Sequence, residues 1–123
     1  MKKKILVVDD EKVIREIIAR MLVNEGYDVY EAQDGKEALD KIYDVSPDMV
    51  ILDGLMPKMN GFEVCEEVRK NPLYKNMLIF MLTVKNAKQD LLDGYKCGAD
   101  EYMVKPPDFR EILARVKLVL NRQ

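Results

Sequence analysis

A three-layer α/β/α sandwich built on a parallel five-stranded sheet is the fold this sequence predicts, and three observations predict it. The runs Ile5–Val8, Met49–Leu52 and Met77–Leu82 are apolar with little polar alternation, as in strands covered on both faces. Stretches with apolar residues at helical spacing follow them. Strand and helix then alternate five times with connections of a few residues, which calls for parallel strands joined by right-handed crossovers.

Ile5–Val8 is the first strand and runs into Asp9-Asp10. Val13, Ile14, Ile17, Ile18, Met21 and Leu22 mark the first helix, with Arg15, Glu16 and Arg20 on its other face and Gly26 in the C′ position. Tyr27–Ala32 is a second strand, placed near an edge because Asp28 and Glu31 break its apolar run. Asp34-Gly35 turns the chain into a helix carrying Ala38, Leu39 and Ile42, closed by Ser46-Pro47. Met49–Leu52 is the third strand. It stops at Asp53, because Gly54, Pro57, Asn60 and Gly61 demand a loop.

Phe62, Cys65 and Val68 mark a third helix stopped near Asn71-Pro72. Met77–Leu82 is a central strand ending at Thr83, and Ala87–Ala99, with Leu91, Leu92 and Tyr95, is a fourth helix closed around Gly98. Glu101–Val104 is a short last strand ending at Lys105-Pro106-Pro107. Phe109, Ile112, Leu113, Val116, Val119 and Leu120 give the clearest helical stripe of the chain. The topology expected is flavodoxin-like, with strand order 2-1-3-4-5. A Rossmann-type order is disfavoured because five strands are too few and no Gly-x-Gly-x-x-Gly follows the first.

At 123 residues the chain is expected to form a single domain over 1–123, with a core on both sides of the sheet. A net charge of −2 gives no reason to expect direct nucleic-acid binding. Lys2–Lys4 is expected to be a solvated lead-in. The absence of histidine removes His-based acid–base catalysis, nucleophilic triads and His metal sites. Cys65 and Cys97 fall in helical patterns and read as buried or half-buried thiols of a reduced compartment. The apolar stretch near the start is too short for a signal peptide, and no run reaches membrane-spanning length. The expected location is the cytoplasm, with no membrane partner.

If the strands are all parallel, their carboxyl ends share one edge. That edge then carries Asp9 and Asp10, Asp53, Thr83 and Lys105 from four different strands. The chain reverses direction between strands one and three, so the crevice opens between the acidic pair and Asp53. Each residue has a plainer role available: Asp53 or Asp10 could cap a turn or helix, Thr83 could be a turn residue, Lys105 a solvated loop lysine. Their joint placement is what is specific. Clustered carboxylates are costly without a cation. Oxygen ligands without His or Cys select a hard divalent ion, and a few carboxylates plus waters suit Mg²⁺. A carboxylate beside Mg²⁺ is a competent nucleophile toward phosphorus. Lys105 supplies a point charge for phosphoryl oxygens and Thr83 a donor. Asp53 is thus the expected site of covalent phosphorylation. Tyr102 is either a half-buried strand aromatic or a ring that follows the state of Thr83.

With these residues in place, the sequence strongly resembles the receiver domain of bacterial two-component response regulators, of the chemotaxis-regulator kind, over essentially its whole length. The matching residues are Ile-Leu-Val-Val-Asp-Asp, the Asp53-x-x-Met-Pro-x-Met-x-Gly run ending at Gly61, Leu82-Thr83, and Gly-Ala-Asp-Glu-Tyr followed by Lys105-Pro106. The resemblance implies that Asp53 accepts a phosphoryl group from a histidine kinase, a phosphotransfer protein or a small phosphodonor. Asp10, Asp53 and the Leu55 carbonyl would bind Mg²⁺, with Asp9 helping through water. Thr83 and Lys105 would grip the phosphoryl group. Tyr102 would turn inward with Thr83 and alter the face of the fourth helix, last strand and last helix, which controls an effector protein or domain or a phosphorylation-dependent homodimer.

The chain departs from the family pattern at Val84, where a very small residue is usual, and at Pro107, where an aromatic is common. Leu55 and Lys85 occupy positions that tune loss of the phosphoryl group. The Lys105–Pro106 bond is cis in the family and is expected to be so here. A Mg²⁺-dependent phosphohydrolase with an aspartyl nucleophile is the competing class. It normally wants a second carboxylate two residues beyond the nucleophile, where this chain has Leu55. A receiver-like docking module that never phosphorylates is disfavoured by the complete acid, threonine and lysine set.

Overall fold

The computed structural model describes residues 2–54, 56, 59–83 and 98–121. The order is β1 (Lys4–Val8), α1 (Lys12–Asn24), β2 (Asp28–Ala32), α2 (Gly35–Val45), β3 (Met49–Asp53), α3 (Gly61–Arg69), a 3-10 turn (Pro72–Tyr74), β4 (Leu78–Thr83), β5 (Glu101–Val104) and α4 (Phe109–Leu120). All neighbouring strands pair in parallel, in the order β2-β1-β3-β4-β5. The flavodoxin-like topology is therefore as expected. The helix expected over 87–99, with Val84, Lys85 and Cys97, falls almost wholly outside the described residues, as does Leu55, so α4 here is the last helix of the sequence pattern.

The sheet sorts its side chains by alternation. Leu6, Val8, Val50, Leu52, Ile79 and Met81 face one way and pack under α2 and α3 with Ala38, Ile42, Val64 and Cys65. Ile5, Val7, Met49, Ile51, Phe80 and Leu82 face the other way, against Ile18 and Leu22 of α1 and Ile112, Val116 and Leu120 of α4. Every residue of β3 is buried.

Local chemistry fixes the element ends. Asp34 Oδ1 accepts the Glu37 N–H at the start of α2, and Asp108 does the same for Arg110 and Glu111 of α4. Gly26, at φ +98°, ends α1 in a conformation that side chains rarely adopt. The Lys105–Pro106 bond is cis.

Two expectations need correction and a third is extended. Lys4 is not a solvated lead-in: it begins β1, its N–H donates to Asp48 Oδ2 at 2.8 Å, and its Nζ reaches the Val45 carbonyl. Val13 and Ile17 share the apolar stripe of α1 yet are 70% and 43% exposed. Ile18, Ala19 and Leu22 carry the burial, because the sheet covers a narrower arc than the stripe spans. α3 stops just before Asn71-Pro72, as expected, and this pair also begins the next element. The Asn71 side chain accepts the Leu73 N–H and Pro72 starts a 3-10 turn.

Arg69 closes the end of the sheet opposite the acidic residues. Its guanidinium donates to the carbonyls of Tyr74 (2.9 Å), Met77 (2.8 Å) and Gly98 (3.1 Å) and to Asp100 Oδ2 (2.7 Å), which also accepts the Ile79 N–H. The half-exposed ion pair adds little. The carbonyls that lose a donor cost about 1 kcal/mol each. Arg69→Ala is therefore expected to lower the unfolding free energy in urea by about 2–3 kcal/mol. Arg69→Lys should restore little of it, because an ammonium cannot span the same acceptors.

Candidate functional site

The carboxyl ends of β1, β3 and β5 meet at one edge and bring the predicted acidic residues and lysine together. Asp9 and Asp53 are 1% and 2% exposed, whereas Asp10 lies at the surface. One carboxylate oxygen from each of the three lies within 4.8 Å of the others. Lys105 Nζ bridges the two buried members, 2.9 Å from Asp9 Oδ2 and 3.1 Å from Asp53 Oδ2. The burial of Lys105 opposes its charge, but the hydrogen bond to Asp9 and the negative charges of Asp53 and Asp9 outweigh it. Together they hold its pKa above the usual lysine value.

Backbone structure fixes both carboxylates. Asp9 Oδ1 accepts the Glu11 N–H at 2.9 Å, and its carbonyl accepts from Arg15 Nη1 at 2.9 Å while Arg15 Nε bonds Glu31. Glu11, not Asp10, is the N-cap residue of α1, so the capping role open to Asp10 in the sequence is not the one it takes. At Asp53 the loop is strapped at its base. The Gly54 N–H donates to the Leu82 carbonyl at 2.7 Å and the Gly61 N–H to the Gly54 carbonyl at 3.2 Å. Asn60 and Glu63 then form a reciprocal capping box that starts α3.

A Cβ at Gly61 would strike the Asp53 carbonyl oxygen and stand 3.0 Å from the Asp53 carbonyl carbon and 3.2 Å from Gly54 Cα. These are backbone atoms and cannot swing away. Gly61→Ala should therefore cost about 2 kcal/mol or more and displace Asp53. A thermal melt midpoint within a degree or so of wild type would contradict this.

Thr83 ends β4 and its backbone pairs with Val104, but its side chain lies outside the described residues, as does all of Leu55. Tyr102 is a half-buried residue of β5 packed against the cluster beneath α2 and α3. Its carbonyl accepts from Arg115 Nη1 of α4 at 2.6 Å.

Sequence reasoning missed Glu11 and Arg15. Glu11 Oε1 stands 3.9 Å from Lys105 Nζ at the mouth of the crevice. Periodicity puts Arg15 on the polar face of α1, yet its guanidinium turns back to the Asp9 carbonyl. The available signal was position, since both follow the acidic pair within the first turn and a half of chain.

The donor set fits a hard cation: all-oxygen, close enough to share one ion, and partly buried. Lys105 is placed to serve either as the counter-charge of Asp53 or as a partner for an anion attached to it.

Residues 5–117 match the family described as response regulator receiver domain. The chemotaxis protein CheY4 of Vibrio cholerae is 36% identical, covering 97% of this chain and 99% of its own, with a TM-score of 0.90. The receiver domain of the Francisella response regulator 1452 is 31% identical, covers 98% of each chain and has a TM-score of 0.89. A CheY-like response regulator receiver domain protein of Methanospirillum hungatei JF-1 is 31% identical, covers 99% of this chain and 96% of its own, and has a TM-score of 0.92.

Proposed function

The chain belongs to the response regulator receiver domain family, and from that premise we propose that residues 1–123 act as a single receiver domain phosphorylated on Asp53. The observation that carries this reading is the buried Asp53 carboxylate, one oxygen of which faces the Lys105 ammonium at 3.1 Å beside the acidic pair. Receiver domains are signalling domains that take up a phosphoryl group, generally without turning over a separate substrate.

Asp10, Asp53 and the Leu55 carbonyl would hold Mg²⁺, with Asp9 acting through water. When bound, the ion neutralises charge on the transferring phosphoryl group. An Asp53 oxygen attacks phosphorus as the bond to the donor breaks. A nitrogen donor departs with a proton on that nitrogen as the neutral imidazole or amine, whereas an acyl phosphate releases its carboxylate as the anion. Lys105 exchanges its contact with Asp53 for one with a phosphoryl oxygen, and the Thr83 hydroxyl donates to another. The inward turn of Tyr102 with Thr83 then changes the face around β5 and α4 that an effector or a second copy reads. The donor is a histidine kinase, a phosphotransfer protein or a small phosphodonor.

No helix among the described residues is long and apolar enough to cross a membrane, and cytoplasmic action with no membrane or nucleic-acid partner is part of the proposal.

Intact mass after incubation with acetyl phosphate and Mg²⁺ tests the central claim. One phosphoryl group per chain, removed by alkali and absent with a chelator, is expected. An unchanged mass under saturating donor would overturn it. Mg²⁺ alone should also stabilise the fold. At roughly tenfold Kd the gain is about 1.4 kcal/mol, read as a rise in melting midpoint that chelation of Mg²⁺ by EDTA reverses.

A further inference from the structure

Among the described residues at the crevice, Glu11 has a side chain that neither the capping of α1 nor the proposed phosphorylation uses. Its backbone N–H is taken up by Asp9, but its side chain caps nothing and is free to reach the mouth. It is 61% exposed there, with Oε1 3.9 Å from the Nζ of Lys105, the ammonium that an incoming phosphoryl group would have to engage. Asp9 and Asp53 already face Lys105, and a carboxylate oxygen of Asp10 lies in the same cluster. Arg15, the nearby guanidinium, is engaged by Glu31 at 3.0 Å.

We propose that Glu11 is a specificity-determining residue that discriminates against free anionic phosphodonors by placing a negative charge beside Lys105 at the entrance of the site. The inference rests on the phosphorylation of Asp53 proposed above and names the donor class the site favours. That class carries its phosphoryl group on a neutral or cationic carrier, such as a phosphoimidazole on a protein surface. A dianion approaching Lys105 meets Glu11 within a Debye length, so their repulsion is felt at ordinary ionic strength. A donor of lower charge meets proportionally less. Association of a charged ligand with a like-charged entrance is slowed and the slowing is salt-dependent, whereas a packing role would show neither dependence.

The test compares wild type, Glu11→Gln and Glu11→Asp, each at Mg²⁺ concentrations shown by thermal melts to be saturating. Acetyl phosphate serves as the dianionic donor and phosphoramidate as the donor of lower charge. In low salt, Glu11→Gln should speed acetyl phosphate uptake about fivefold and phosphoramidate uptake about twofold. Both gains should shrink toward none in about 1 M salt. Glu11→Asp should stay close to wild type, because it keeps the charge and the exposed position. Equal changes with the two donors, or a change indifferent to salt, would overturn the inference while leaving Asp53 phosphorylation standing. No uptake by wild type from either donor would overturn that earlier reading and this one with it.

Discussion

Asp53→Asn is expected to abolish phosphoryl uptake, with no mass increase after exposure to acetyl phosphate and Mg²⁺, while raising the melting midpoint of the metal-free protein. The two effects come from the same atoms. The amide is no nucleophile toward phosphorus, so the acyl phosphate bond has nowhere to form. It is also uncharged, and the crevice holds Asp9, Asp10 and Asp53 within one ion's reach against Lys105. Removing one carboxylate relieves repulsion, while Lys105 keeps its 2.9 Å contact with Asp9. The same change should weaken stabilisation by Mg²⁺, since one ligand is lost. Retention of phosphate uptake by the variant would move the acceptor to another residue. A falling midpoint would mean that the bridge between Lys105 and Asp53 outweighs the repulsion it offsets.

The strands and the site edge were legible for one physical reason. A parallel strand buried on both faces must be apolar throughout, so a carboxylate that ends such a run stands out, as Asp9 and Asp53 do. Gly26 and Gly61 were legible through backbone demands that other residues meet poorly. What escaped was set by reach, not by pattern. Periodicity says which residues of α1 share a face, but not how wide an arc the sheet covers, so Val13 and Ile17 were expected inside and are exposed. Long side chains escaped for a related reason. Arg15 and Arg69 have polar heads that bond atoms well away in sequence, and nothing in spacing foretells which way the stem lies. Lys4 belongs with them: three lysines in a row read as solvated, yet the third starts a strand and ties down the end of α2.

The Lys105 bridge changes how the acidic crevice itself should be understood. From sequence, the three carboxylates are expected to repel one another until a metal arrives. In the structure an ammonium already lies between the two buried ones, its side chain 10% exposed, so the strain is partly answered from within the chain. A cation entering the crevice competes with Lys105 for Asp53, and a phosphoryl group on Asp53 offers Lys105 a substitute partner.

Lys105→Met is accordingly expected to be the most damaging conservative-volume change at the site. Without metal it removes the ammonium that Asp9 and Asp53 share among the described residues. Stripping the partner from a buried ionic cluster costs about 3 kcal/mol or more. Urea unfolding at neutral pH should show a loss of that size, largely recovered in saturating Mg²⁺, because the ion supplies the missing positive charge. The pH dependence has a definite sign. Lys105 has a pKa in the fold above its unfolded value near 10.5, so its contribution is full below that value and is lost as pH rises through the folded one. The gap between wild type and variant should thus persist through neutral pH and close only in alkali. Phosphoryl uptake should fall about a hundredfold even where Mg²⁺ has restored the fold, since a preorganised charge on the transferring group is gone. Uptake that recovers together with stability would reduce Lys105 to a structural counter-ion, and a gap that closes below pH 9 would take the bridge itself out of the account.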